Sequence, residues 1–245
     1  MYRLPVRGDA PEQLLNSAPG AVQAIVDAVN GGIVKLNFRS GVYASTEVRV
    51  ALDGLQHGKC AFCEVHILPV STPHVEHFRP KAAYIDEEDG SKQQPGYYWL
   101  AYSWSNLLLS CPRCNSTTFK GIRFPLQMEV SRALSPADDL SLEQPLLIDP
   151  YAEDPRDFIR FRGAVAYPVA GNAKGTQTIS VLGLNREDLV DARSEHLRLF
   201  FTLANAAAGL SEGNDLDQVQ LLLREFLSER GIFRSCLDDA LNNAI

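Results

Sequence analysis

Four of the five cysteines in this 245-residue chain fall into two pairs of identical spacing, Cys60-x2-Cys63 and Cys111-x2-Cys114. A two-residue gap lets a tight turn aim both thiolates at one ion, and two such turns complete the tetrahedral shell of a structural Zn2+. Two other readings are open at this point: four ordinary buried cysteines, or a site in which His66 takes a ligand position. Cys236 stands alone in an amphipathic segment and reads as a core residue. The 47 residues between Cys63 and Cys111 exceed the usual gap of a zinc ribbon, so a further element is inserted between the two knuckles.

That insertion carries His74-Val75-Glu76-His77-Phe78-Arg79-Pro80-Lys81 at the end of an extended stretch. The Glu76 carboxylate is a hard oxygen ligand suited to Mg2+ or Mn2+. The His77 imidazole titrates near neutrality and can take a proton from an attacking water. Asn115 directly follows the last cysteine, where a short helix would begin and its amide oxygen would supply a second hard ligand. Asn106 lies nine residues earlier, positioned to brace the loop that presents His77. Each asparagine taken alone is equally a turn or cap residue. His57 and His74 lack such context and read as structural or exposed. Arg79, Lys81, Arg113, Lys120 and Arg123 cluster near the two cysteine pairs, either to meet phosphates or as a solvated face.

The order Cys-x2-Cys, Glu-His, Asn, Cys-x2-Cys-Asn, then Lys-Gly resembles the HNH (His-Me finger) endonucleases. Lys59-Cys60-Ala61-Phe62-Cys63-Glu64, Glu76-His77-Phe78-Arg79-Pro80-Lys81, Tyr98-Trp99-Leu100-Ala101-Tyr102, Phe124-Pro125-Leu126 and Leu184-Asn185-Arg186 resemble most the branch of PtuB-type nucleases of Septu anti-phage systems and their retron-associated relatives. The resemblance spans roughly residues 45–195. It implies that Glu76 and Asn115 hold a catalytic Mg2+ or Mn2+, that His77 is the general base and that Asn106 braces the site. It implies a phosphate-contacting role for Lys120, with Arg79 and Lys81 beside it. It also implies DNA rather than RNA as substrate, and an ABC/SMC-like ATPase as partner. No P-loop pattern occurs here, so any ATP dependence would come from that partner.

These groups need a scaffold. Thr46–Gln56 carries Val48, Leu52 and Leu55 at helical spacing and stops at His57-Gly58. Helices are also expected over Glu12–Asn16, Ala21–Val29, Arg186–Ala207, Asp215–Glu229 and Phe233–Asn242. Extended chain is expected over 64–80, a polar loop over 84–96, and a hairpin from Phe158–Phe161 and Ala164–Tyr167 around Arg162-Gly163. The expected class is α+β: a ββα-metal finger with a four-cysteine zinc staple, embedded in flanking helices. The regions are an N-terminal helical part (1–57), the nuclease core (58–126) and a C-terminal part of hairpin and helices (127–245).

A net charge of −7 argues against wholesale nucleic-acid coating but leaves room for a local basic groove. With 45% apolar and 22% charged residues the composition is that of a soluble globular chain. No stretch approaches the roughly eighteen apolar residues of a membrane helix, and the first residues lack an apolar signal region, so the cytoplasm is the expected compartment. The competing functional classes are a zinc-binding adaptor that docks nucleic acid or protein without cutting, and an interaction subunit built on residues 186–242.

Overall fold

A computed structural model describes residues 1–68 and 72–242 of the chain. Helix α1, Glu12–Asn30, runs unbroken through Pro19 where two shorter helices were expected. Leu14, Ala21 and Ile25 lie buried on either side of the proline, and that continuous packed stripe outweighs the one lost backbone bond. A single turn, α2 (Ser40–Tyr43), leads to α3, Thr46–Gln56. The Ser45 side chain caps α3 at Val48 N, and His57, with φ of 53°, ends it in the left-handed region.

The end of α3 fixes everything that follows. Buried Gln56 donates through Nε2 to Lys59 O and Leu109 O (2.8 and 2.9 Å) and accepts at Oε1 from Leu109 N (2.8 Å). One side chain thereby ties the first cysteine turn to a strand 53 residues later. Ala61 N adds a backbone bond to Leu109 O (3.0 Å).

Strand β1, His74–His77, pairs antiparallel with β4, Leu107–Ser110, with Glu76 opposite Leu108 and His77 opposite Leu107. All four residues of β4 are buried, which explains its run of three leucines in place of alternation. Extended chain over 64–80 thus shortens to β1, and Val70 of that expectation lies outside the described residues. Between the strands, β2 (Tyr84–Ile85) and β3 (Lys92–Gln93) form a small hairpin inside the expected polar loop. Tyr97, Tyr98, Ala101 and Tyr102 then pack into the core.

The helix expected from Asn115 is replaced by turns: among the described residues, none from 111 to 126 is helical. Asn115 N returns to Cys111 O, Lys120 N to Cys114 O, and Gly121 adopts φ of +44° against the Ser116 backbone. Ser116-Thr117-Thr118 are weak helix formers, and the burial of Lys120 pulls the segment inward. The finger is therefore a strand pair followed by a coiled loop.

In the C-terminal part, β5 (Ile159–Arg162) and β6 (Val165–Pro168) form the expected hairpin with Gly163 in its turn. Helix α4, Ala173–Val181, was not foreseen; Asn172 caps it at Gly175 N (3.0 Å). Then come α5 (Glu187–Ala208), α6 (Asn214–Phe226) and α7 (Arg234–Asn242). One apolar core runs from Met1 and Leu14 through Phe62, Leu108 and Phe124 to Leu197 and Leu237. No helix among the described residues is long and apolar enough to cross a membrane.

Candidate functional site

The cysteine Sγ atoms at 60, 63, 111 and 114 all lie within 4.8 Å of one another. A zinc–sulfur bond of about 2.3 Å puts neighbouring sulfurs of a tetrahedron about 3.8 Å apart. Cys63 and Cys111 stand 3.8 Å apart, so the cluster fits the ion. His66 is outside it, bridging to Lys59 on the far arm of the first turn. Hydrogen bonds from Cys114, Cys60 and Cys63 lower the Cys111 thiol and favour its thiolate. Arg186, from the Leu184-Asn185-Arg186 motif, points Nη1 at Cys114 Sγ (3.7 Å) and also bonds Gly183 O. With zinc bound, its guanidinium would offset the net negative charge that four thiolates leave around a dication. Cys236 is buried against Gly163 O, with its thiol pushed up to about 12 by burial.

A cleft of about 470 Å3 lies beside β1, lined among others by Tyr43, His74, Glu76, His77, Lys81 and Asn115. The structure thus brings the sequence-derived Glu76, His77 and Asn115 to one wall system, and adds His74. His77 is only 3% exposed. Its Nε2 lies 2.8 Å from Ala101 O, an acceptor, so that nitrogen carries the hydrogen. The lone pair is left on Nδ1, which meets Lys81 Nζ at 3.2 Å. Burial, reinforced by the Lys81 ammonium, holds the imidazole well below the usual histidine range, so it is neutral. The Tyr43 and His77 rings meet edge to face with centroids 4.8 Å apart, and the Lys81 ammonium lies over the Tyr43 ring.

Asn106 explains why Ala101 O is in position. Its Nδ2 donates to Arg79 O and Leu100 O (3.0 and 3.2 Å), and its Oδ1 accepts from Arg79 N (2.8 Å). One amide joins the chain leaving β1 to the turn whose next carbonyl holds His77. Glu76 is 6% exposed, and its Oε1 meets Lys120 Nζ at 2.5 Å. Lys120 is fully buried and also donates to His77 O (2.9 Å). Asn115 is half-buried at the rim, its Nδ2 3.4 Å from His74 Nδ1.

Two of the residues expected to contact phosphate, Lys120 and Arg79, are engaged by carboxylates of the chain itself. Lys120 points inward to a carboxylate. Arg79 pairs with buried Glu143 at 2.8 Å and lies over the Phe124 ring. Arg113 and Arg123 likewise pair, with Asp188 and Glu87. Lys81 is the one cation of that group without a carboxylate partner among the described residues. His74 and Tyr43 were missed as lining residues. For His74 the available signal was its position two residues before Glu76, on the same strand face.

The chain is homologous to Septu protein PtuB: it is 39% identical over 155 residues to that protein of Bacillus mycoides (strain KBAB4), covering 62% of this chain and 52% of the relative. A second Septu protein PtuB, of Bacillus thuringiensis, is 27% identical over 184 residues, covering 74% and 54%. Septu protein PtuA of Bacillus mycoides is 30% identical over 141 residues, covering 57% of this chain and 19% of that protein. The chain thus spans about half the length of the PtuB relatives it matches. No family model matches it, and no solved structure does.

Proposed function

We propose that this homologue of Septu protein PtuB is a metal-dependent endonuclease of the HNH type, cutting phosphodiester bonds of DNA in preference to RNA as the nuclease subunit of an anti-phage defence system. The observation that carries this reading is the meeting of a carboxylate, a neutral imidazole and an amide in the lining of one cleft, with the imidazole lone pair turned to Lys81, which lines it too. An adaptor that only docks has no use for a histidine held neutral next to hard-metal ligands.

In this reading Glu76, through the oxygen not engaged by Lys120, and Asn115, through Oδ1, hold Mg2+ or Mn2+. When bound, the ion neutralises charge developing on the phosphate and on the departing oxygen. His77 Nδ1 accepts a proton from water as the water oxygen bonds to phosphorus and the bond from phosphorus to the 3′-oxygen breaks. The 3′-oxygen takes a proton from solvent, leaving a 3′-hydroxyl and a 5′-phosphate. Lys81 leaves Nδ1 and moves to a phosphate oxygen, which frees the base only when substrate is present. Asn106 keeps Ala101 O on Nε2, so the proton-accepting nitrogen cannot turn away. Zinc keeps the strand of His77 and the loop of Asn115 at a constant distance. The kinship with both Septu proteins supports a protein partner, here an ABC/SMC-like ATPase.

The test is incubation of the full chain, alone and with that ATPase subunit, with plasmid DNA and tRNA in parallel, in Mg2+ or Mn2+ with and without EDTA. Ion-dependent cutting of DNA is expected, and His77→Ala should abolish it while zinc content and helical signal persist. Cutting by His77→Ala at the unsubstituted rate would refute the base. Binding without cutting in every arm would favour the adaptor.

A further inference from the structure

We infer that His74 is a third protein ligand of the catalytic ion, forming with Glu76 and Asn115 a set that prefers Mn2+ to Mg2+. This rests on the ion site of the nuclease reading and adds a residue to it. In β1, side chains two apart project from the same face, so His74 and Glu76 leave the strand together and both line the cleft. His74 is the exposed residue of the strand, while Val75, Glu76 and His77 are buried. Its ring makes no ion pair among the described residues, and its Nδ1 meets the Asn115 amide.

The spacing of that contact is informative. Two donors bound side by side to one octahedral ion, with bonds of about 2.1 Å, stand about 3.0 Å apart. His74 Nδ1 and the Asn115 amide nitrogen stand 3.4 Å apart, and a half-turn of the amide brings Oδ1 to the same place. The pair therefore stands within about 0.4 Å of the separation of one edge of a coordination shell, a gap that a small side-chain shift closes. Glu76 supplies the neighbouring donor. With Oε1 on Lys120, it offers the ion one oxygen and a carboxylate charge already partly neutralised. An imidazole adds affinity without adding charge, and it selects among ions: Mg2+ is the harder ion and holds to an all-oxygen, largely hydrated shell, whereas Mn2+, the first of the transition series, accepts a nitrogen donor among its oxygens more readily.

The experiment titrates Mn2+ and Mg2+ into the zinc-loaded full chain by calorimetry, for the natural sequence, His74→Ala and Glu76→Gln, with zinc content verifying that each variant is folded. His74→Ala should weaken Mn2+ binding by about tenfold or more and Mg2+ binding by much less. Pulsed EPR on the Mn2+ complex should detect a coupled imidazole nitrogen that disappears in His74→Ala. Unchanged Mn2+ affinity in His74→Ala, or no nitrogen coupling in the natural protein, overturns the His74 assignment. If Glu76→Gln keeps its affinity as well, the ion site of the nuclease reading falls with it; if Glu76→Gln alone loses binding, only the His74 assignment falls.

Discussion

Replacing Lys120 with methionine isolates the most consequential contact behind the cleft. The ammonium is completely buried, the Glu76 side chain is 8% exposed, and the two meet at 2.5 Å with a further bond from Nζ to His77 O at 2.9 Å. Methionine fills the same space without charge. Removing one member of a buried pair leaves the other charge desolvated and alone, which costs about 3–5 kcal/mol. The orphaned His77 carbonyl adds about 1 kcal/mol. A loss of about 5 kcal/mol is therefore expected for Lys120→Met, read from urea unfolding of the zinc-loaded protein. Adding Glu76→Gln replaces the stranded carboxylate by a neutral amide and should return roughly half of that loss. Mn2+ should raise the melting temperature of Lys120→Met more than that of the natural protein, since it restores a cation to the carboxylate. A single variant within about 1 kcal/mol of the natural protein, as expected of an exposed pair, would refute the reasoning.

Three further outcomes follow from other parts of the molecule. Cys111→Ser should drop zinc content well below one equivalent and lower the melting temperature by roughly 10 °C, and a stable zinc-free variant would refute the stapling role. Gly183, at φ of +56°, sits so close to the Phe119 ring that an added Cβ would run into it. Gly183→Ala should therefore cost about 2–3 kcal/mol in urea unfolding, part of it recovered by Phe119→Leu in the double variant. His196 lies between Phe226 and Phe233, and burial holds its imidazole below the usual histidine range. The unfolded chain then binds the extra proton below about pH 6.5, so this stability contribution is intact above that pH and is lost as pH falls. The drop in melting temperature from pH 7.5 to 5.5 should be smaller in His196→Phe, and equal drops would count against the assignment.

The zinc site was legible because its signal is local: two residues between paired cysteines suffice to specify each turn. Glu76, His77 and Asn115 stood out by residue type and order, and the cleft that all three line depends on the pairing of β1 with β4. What the sequence concealed lies in distant partners. Lys120 looked like a surface cation because its partner is 44 residues away, and Arg79 because Glu143 is 64 residues away. Both partners lie far along the chain, where local spacing carries no trace of them. His74 was passed over because a single exposed histidine carries no pattern until Asn115 folds against it. The helix expected after the second cysteine turn failed for a complementary reason, since local propensity gave way to the inward pull of Lys120.

The knuckles at 60–63 and 111–114 act as the two ends of a tether that spans the β2–β3 hairpin. Closing a chain between fixed ends depends only logarithmically on its length, so doubling such a stretch adds about 0.6 kcal/mol. The hairpin tip, Asp86 to Ser91, can therefore grow, shrink or be exchanged while Glu76 and His77 keep their places on β1. A scaffold so indifferent to the length between its anchors lets that segment diversify in sequence and size while the β2–β3 pairing holds its base.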